Sequence, residues 1–260
     1  MEIIDFVEVT RNITTTAAGP VVCKASNGLR YFTKFCEGVE GPKELVNEYV
    51  GYKLAKLLRL PIPNAKLIRF NDSTEIYIKD KMTQISAGSI AFGSEELNKV
   101  VSVTTEDILS SCDNKDVLLS IIVFDHLIGN QDREYNYANL LYRYKDKVIF
   151  IIDHGRIFDI GTLWNEISCE QRKNAPIELK HFDDDSIYGR ILNVIDINEY
   201  LDDCRNRFKN VNYNDIKSIF DEIPNEWNLS QNERIAGTDF IWTRINRYEE
   251  VLQKLLGLKR

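Results

Sequence analysis

The stretch that decides the fold is Phe124-Asp125-His126-Leu127-Ile128-Gly129-Asn130-Gln131-Asp132-Arg133-Glu134-Tyr135-Asn136-Tyr137-Ala138-Asn139-Leu140-Leu141-Tyr142, followed by Ile151-Ile152-Asp153-His154-Gly155. It begins at the end of an apolar run over 115–128, in which Val117, Leu118, Ile121, Ile122 and Phe124 recur at helical spacing. From Gly129 the chain turns polar and reads as a loop carrying Asp132 and Asn139. Two β-like runs, 140–144 and 148–152, flank Lys145-Asp146-Lys147 as a hairpin turn. A hairpin sets its outer ends side by side. Asn139, just before the first strand, is therefore expected next to Asp153, just after the second.

Working outward, the first third reads as strands around one helix. Runs 5–11 and 20–26 are β-rich, and a loop of small residues, Asn12 to Gly19, lies between them. Asn27-Gly28 is a tight-turn signal because both residues tolerate positive φ, and it leads into a strand over 29–36 that contains Lys34. Gly41-Pro42 opens a helix over 42–58, closed by Pro61 and Pro63. Leu45, Tyr49, Tyr52 and Ala55 share one face of it, and Glu48 lies on that stripe. A carboxylate on a buried face needs a cationic partner, since its desolvation would otherwise cost several kcal/mol. Lys34, on the strand just before, is the candidate.

Strands over 65–70 and 74–78 follow, joined by Asn71-Asp72-Ser73. Lys79 to Thr83 then reads as the connector to the remainder, and 85–103 shows no clean period and reads as irregular. Thr104-Thr105-Glu106-Asp107 carries helix-capping chemistry. Beyond Phe158 the pattern is helical, with apolar spacing over 198–209, 214–222 and 230–256 and Pro224 between the last two. Phe240, Ile241, Ile245, Tyr248, Val251, Leu252, Leu255 and Leu256 form a core stripe.

Composition narrows what these motifs can mean. At 260 residues the chain exceeds the usual single-domain size, which points to two lobes or to a domain with insertions. With 43% hydrophobic residues it can bury a real core, and no apolar run reaches bilayer length. The start, Met1-Glu2-Ile3-Ile4-Asp5, lacks the basic and apolar regions of a signal peptide, so a cytoplasmic location is expected. Cys23, Cys36, Cys112, Cys169 and Cys204 are widely spaced with no Cys-x-x-Cys pair, which suits reduced, packed thiols. A net charge of -7 spread along the chain argues against nucleic acid as a partner.

Taken in order, the chain offers a strand Lys, a helix Glu, an Asp after an apolar helix, a downstream Asn, a hairpin and an Asp-x-Gly turn. An isolated Asp-x-Gly means little, because both residues are ordinary turn formers. The ordered set is how phosphoryl-transfer sites of the protein-kinase kind are laid out. There one Asp accepts the proton of the attacking hydroxyl, and an Asn and a second Asp bind metal. The chain resembles the HipA-like kinases, and more closely the branch whose loop reads Gly-Asn-x-Asp-Arg followed by Asn-Leu-Leu. The match here is Gly129-Asn130-Gln131-Asp132-Arg133 and Asn139-Leu140-Leu141, together with the loop closing on Pro20, Asn27-Gly28, Lys34 and Asn47-Glu48.

The resemblance implies an α+β, two-lobed protein-kinase-like fold, with a β-rich N-lobe over 1–80 and a mostly helical C-lobe over 81–260. It implies ATP and Mg2+ as cofactors, Asp132 as the catalytic aspartate, and Asn139 and Asp153 as metal ligands. Lys34 would contact phosphate, Glu48 would orient Lys34, and Thr14, Thr15, Thr16, Ala17, Ala18 and Gly19 would cover the phosphates. Asn139 lies two residues further from Asp132 than the Asn of ordinary kinases, which leaves Asn136 as a rival ligand. Glu134 stands where the family often has His. The implied acceptor is a serine or threonine on a protein, with the chain as the toxin half of a toxin and antitoxin pair and an antitoxin or other regulatory protein as its partner. A small-molecule kinase and a non-catalytic ATP-binding module are the alternatives.

Overall fold

In the computed structural model the described residues are 1–13, 20–79, 81–133, 136–179, 182–183 and 185–258. The first part contributes strands β1 (Ile3–Asn12), β2 (Val21–Ala25) and β3 (Arg30–Lys34), helix α1 (Pro42–Leu57), and strands β4 (Ala65–Arg69), β5 (Thr74–Ile78), β6 (Lys81–Ile85) and β7 (Ile90–Glu95). Five of these strands close into a barrel in the order β1-β2-β3-β7-β4, sealed by parallel pairing of β1 with β4. Register irregularities in β1, between Phe6 and Glu8 and between Val9 and Arg11, give the bending that closure requires. Val21, Cys23, Tyr31, Ile68, Phe70 and Ala91 fill the interior.

The segment expected to connect the lobes, Lys79 to Thr83, does something else. Lys81, Met82 and Thr83 are the first residues of the second strand of the β5–β6 hairpin, with Ile78 opposite Lys81 and Tyr77 opposite Met82, and Asp80 lies outside the described residues. The chain then re-enters the barrel as β7, between β3 and β4. The stretch over 85–103 is thus irregular only in part, since Ile90–Glu95 and Val100–Ser102 are strands. Its period was unreadable because Ile90, Ala91, Phe92 and Gly93 are all buried, and a strand covered on both faces loses the alternation that marks a strand.

Helix α1 begins as its sequence dictates, with Pro42 in the first turn after Gly41, whose φ of 70° leaves no other residue comfortable there. All eight residues from Glu44 to Gly51 are buried, so the helix is enclosed and not merely docked along one stripe. This enclosure brings two carboxylates inside. Gly51 is needed for a second reason: a Cβ there would lie 2.3 Å from the Cβ of His154.

The second part is built around α3 (Leu118–Ile128), which follows β8 (Val100–Ser102) and α2 (Glu106–Ser110). Apart from His126, every α3 residue is buried, and so its apolar run has no polar face. Gly129 ends it in the left-handed conformation at φ 65°, and a Cβ there would meet Asp159 at 2.4 Å. Strands β9 (Leu140–Arg143) and β10 (Val148–Ile151) form the expected hairpin, with Ile151 opposite Leu140, and β8 extends the sheet.

Helices α4 (Glu166–Arg172), α5 (Ile187–Val194), α6 (Ile197–Phe208), α7 (Tyr213–Asp221), α8 (Gln231–Ile245) and α9 (Tyr248–Leu258) complete this half. The single helix read over 230–256 is two. It breaks at Asn246, whose side chain donates to the Trp242 carbonyl at 2.7 Å and so competes with the helical ladder. Among the described residues no helix is long and apolar enough to cross a membrane. All five cysteines are free, and all but Cys36 are buried.

Candidate active site

Where β3, α1 and the turn after β10 meet, the last residue of β3 delivers its ammonium into acidic company. Lys34 Nζ lies 2.5 Å from Glu48 Oε1, 2.8 Å from Glu44 Oε1 and 3.0 Å from Asp153 Oδ1. Glu44 and Glu48 are one helical turn apart on α1 and therefore present their carboxylates to the same point. The other oxygen of Glu48 accepts from the backbone N–H of His154 at 3.1 Å, which ties α1 to the turn. Asp153 holds a φ of 58°, a strained position for a non-glycine residue, and its Oδ1 also accepts from Gly155 N at 3.3 Å. Asn47 secures the segment beyond, donating to the Gly155 and Gly161 carbonyls and accepting from Trp164 Nε1 at 2.7 Å.

Asp132 lies in the loop after α3. Its Oδ2 accepts from Asn139 Nδ2 at 2.8 Å and from Asn136 Nδ2 at 3.3 Å, so both asparagines face it. Asn136 also spends its carbonyl oxygen on Ala138 N, capping the short helical turn Tyr137–Asn139. The Asn139 carbonyl accepts from Ile152 N at 3.1 Å, which places Asn139 one residue from Asp153 across the hairpin.

Arg133 joins the two groups from beneath. It is fully buried, and its guanidinium donates to Asp125 Oδ2 at 2.7 Å, to the Ile152 carbonyl at 2.9 Å and to the Asn139 carbonyl, and meets His154 Nε2 at 3.0 Å. Asp125 is the counter-charge, and Asn130 and Tyr188 complete its partners. Asn130 in turn accepts from Asp132 N, so the loop is pinned on the same buried pair that holds the Asp153 turn.

The charges around Lys34 do not cancel. Burial works against its ammonium, yet the attraction of Asp153, Glu48 and Glu44 prevails and its pKa rises well above the ordinary lysine value. Burial also pushes the Glu48 carboxyl up to about 8, reinforced by the neighbouring Asp153 and opposed by Lys34. Burial presses Asp153 the same way, but Lys34 and hydrogen bonds from Glu48, Lys34 and Gly155 hold it well below the usual carboxylate range. His154 is held neutral, first by burial and then by the Arg133 charge. With Nε2 facing an arginine donor, its proton belongs on Nδ1, a buried atom with no partner among the described residues.

Of the residues singled out in the sequence, Lys34, Glu48 and Asp153 come together at one point, and Asp132 and Asn139 at a second linked to it through Arg133. Thr14, Thr15, Thr16, Ala17, Ala18 and Gly19, and likewise Glu134, lie outside the described residues. At the base of that first loop Ile13 N donates to the Pro20 carbonyl at 3.1 Å. Sequence reasoning missed Glu44, Arg133 and His154 as members of the site. Spacing could have found Glu44, four residues before Glu48. Nothing local marks Arg133 as buried, because arginines usually face water.

No curated protein matches the chain. The crystal structure of CtkA, a Helicobacter pylori proinflammatory kinase, aligns over 97% of this chain and 98% of that chain, with a TM-score of 0.59 and 16% identity. A Golgi casein kinase solved with Mn and ADP bound aligns over 97% of this chain and 71% of that chain, with a TM-score of 0.41 and 14% identity. The first of these likenesses establishes a protein-kinase-like fold. With residues 6–254 matching the family model for HipA-like kinases, the chain belongs to the HipA-like kinase family.

Proposed function

We propose that this kinase transfers the γ-phosphoryl group of ATP, bound with Mg2+, to a serine or threonine hydroxyl on a protein. The observation that carries the reading is the buried Arg133 linkage between Lys34, Glu48 and Asp153 on one side and Asp132 and Asn139 on the other. In this reading Lys34 meets the phosphates and Glu48 holds Lys34 in place. Asp153 and Asn139 offer hard oxygen donors, which suits a Mg2+ ion that keeps several waters and takes few protein ligands. The excess negative charge beside Lys34 supports a cation there as well. When bound, the metal and nucleotide supply the transferable phosphoryl group and the charge that stabilises its transfer. Asp132 accepts the proton of the acceptor hydroxyl and aims its oxygen. The family supports a protein acceptor.

The reading is tested by incubating the purified protein with γ-labelled ATP and Mg2+, alone and then with cell lysate and metabolite pools. Label on serine or threonine of this or another protein is the expected result. Label on a small molecule would move the acceptor to that class. Lys34→Met is expected to weaken Mg·ATP binding roughly 10–100-fold, the worth of one charge-assisted hydrogen bond. It should also lower the melting temperature, because the buried Glu44 and Glu48 and the half-buried Asp153 lose their cation, at a cost of about 3 kcal/mol.

For the metal, Asp153→Asn should weaken Mg2+-dependent nucleotide binding by roughly tenfold or more, as loss of a charged ligand implies. Asn139→Ala should impair it more than Asn136→Ala, because Asn136 already spends its oxygen on Ala138. Calorimetry with and without Mg2+ gives both comparisons. A larger effect at Asn136 would reverse the ligand assignment and leave the fold as it is.

A further inference from the structure

Lysine has three N–H donors and no acceptor. The Lys34 ammonium donates to Glu48 at 2.5 Å and to Asp153 at 3.0 Å, and forms an ion pair with Glu44 at 2.8 Å. A phosphate approaching Lys34 has to compete with these three carboxylates for its charge. Asp153 and Glu48 are each tied elsewhere, Asp153 by Gly155 N and Glu48 by His154 N. Glu44 approaches the same turn with no such anchor among the described residues: its Oε1 would stand 3.4 Å from a Cβ built on Gly155. It is nonetheless buried, so its charge is poorly screened by water.

We infer that Glu44 is a positioning residue that opposes nucleotide: it competes with phosphate for Lys34 and sets a ceiling on affinity at this site. The inference rests on the proposed role of Lys34 in binding ATP. A phosphate sharing Lys34 with Glu44 would sit about 5 Å from a second negative charge, where like-charge repulsion at an effective dielectric of about 20 is large enough to shift affinity by an order of magnitude. Glu44 and Glu48, chemically identical and one turn apart, therefore act with opposite sign. Glu48 holds Lys34 in place, and Glu44 holds it back. Glu44 in this way keeps the pocket biased towards its nucleotide-free arrangement.

The test is calorimetric titration with Mg·ATP of wild type, Glu44→Gln, Glu44→Ala, Glu48→Gln, Lys34→Met and the Glu44→Gln/Lys34→Met double variant. Both Glu44 variants are expected to bind about tenfold more tightly, with KM for ATP falling in parallel, and Glu48→Gln to bind more weakly. The gain should shrink in the Lys34→Met background, because the competition for that ammonium is lost there and only direct repulsion remains. Unchanged or weaker binding in the Glu44 variants, with wild-type binding still dependent on Lys34, overturns the inference and leaves the proposed function standing. So does a gain that is undiminished without Lys34. Glu44→Gln too unstable to titrate also counts against it, since a competing ligand is dispensable for folding. Wild-type binding that ignores Lys34→Met instead overturns the proposed nucleotide site, and the inference with it.

Discussion

Asp132→Asn is expected to lower phosphate transfer by roughly two to four orders of magnitude while leaving ATP affinity nearly unchanged, the behaviour of the general base proposed for this position. The substitution keeps size and most hydrogen bonding, so the loop should stay in place. What it removes is the acceptor for a proton, and that interaction is realised mainly on the way to the transition state. The geometry leaves Asp132 suited to the task. Its Oδ2 is held by Asn139 and Asn136, and its backbone by Asn130, so the carboxylate is aimed without being buried. The measurement is single-turnover transfer from labelled ATP, including autophosphorylation, beside calorimetric ATP binding. Equal transfer rates in wild type and variant would take Asp132 out of the mechanism.

Arg133→Met is expected to be the most damaging single change to stability in the site. Arg133 and Asp125 are both 0% exposed, and removing the guanidinium leaves a carboxylate buried without its counter-charge. Breaking such a pair costs about 3–5 kcal/mol. For a chain of this size that is a fall of roughly 6–20 °C in melting temperature. The Asn139, Ile152 and His154 contacts go with it, so transfer should fall even where the protein remains folded. Asp125→Asn in the same chain should recover part of the loss, because it removes the stranded charge. Thermal unfolding of the single and double variants reads this directly, and a single variant that melts within a degree or two of wild type would show the pair to be dispensable.

Much of this protein was legible before any tertiary contact was considered. Pro42 after Gly41 starts α1, the Asn27-Gly28 turn pairs β2 with β3, and the tight β9–β10 hairpin sets Asn139 beside the Asp153 turn. Each of these follows from φ preferences or a repeat within a few residues, and such signals survive in sequence because the interactions behind them are local. The Lys34–Glu48 contact was legible for a related reason: a charge on an apolar face needs a partner, and few were on offer.

Only the tertiary structure decided the remainder. β7 enters the barrel between β3 and β4, a pairing set by partners far along the chain, and burial on both of its faces erased its period. Glu44 and Glu48 look alike in sequence, both acidic and on one side of α1, and only the approach of β3 and of the turn at Asp153 brings both onto Lys34. Arg133 reads as an ordinary polar loop residue. Its burial arises because Asp125, the hairpin carbonyls and His154 converge on one point from three segments of chain. Local sequence thus fixed which chemical groups the site contains and the order in which they come. Which of them share a charge was decided by long-range packing, because desolvation and Coulomb energies depend on distances that no local pattern encodes.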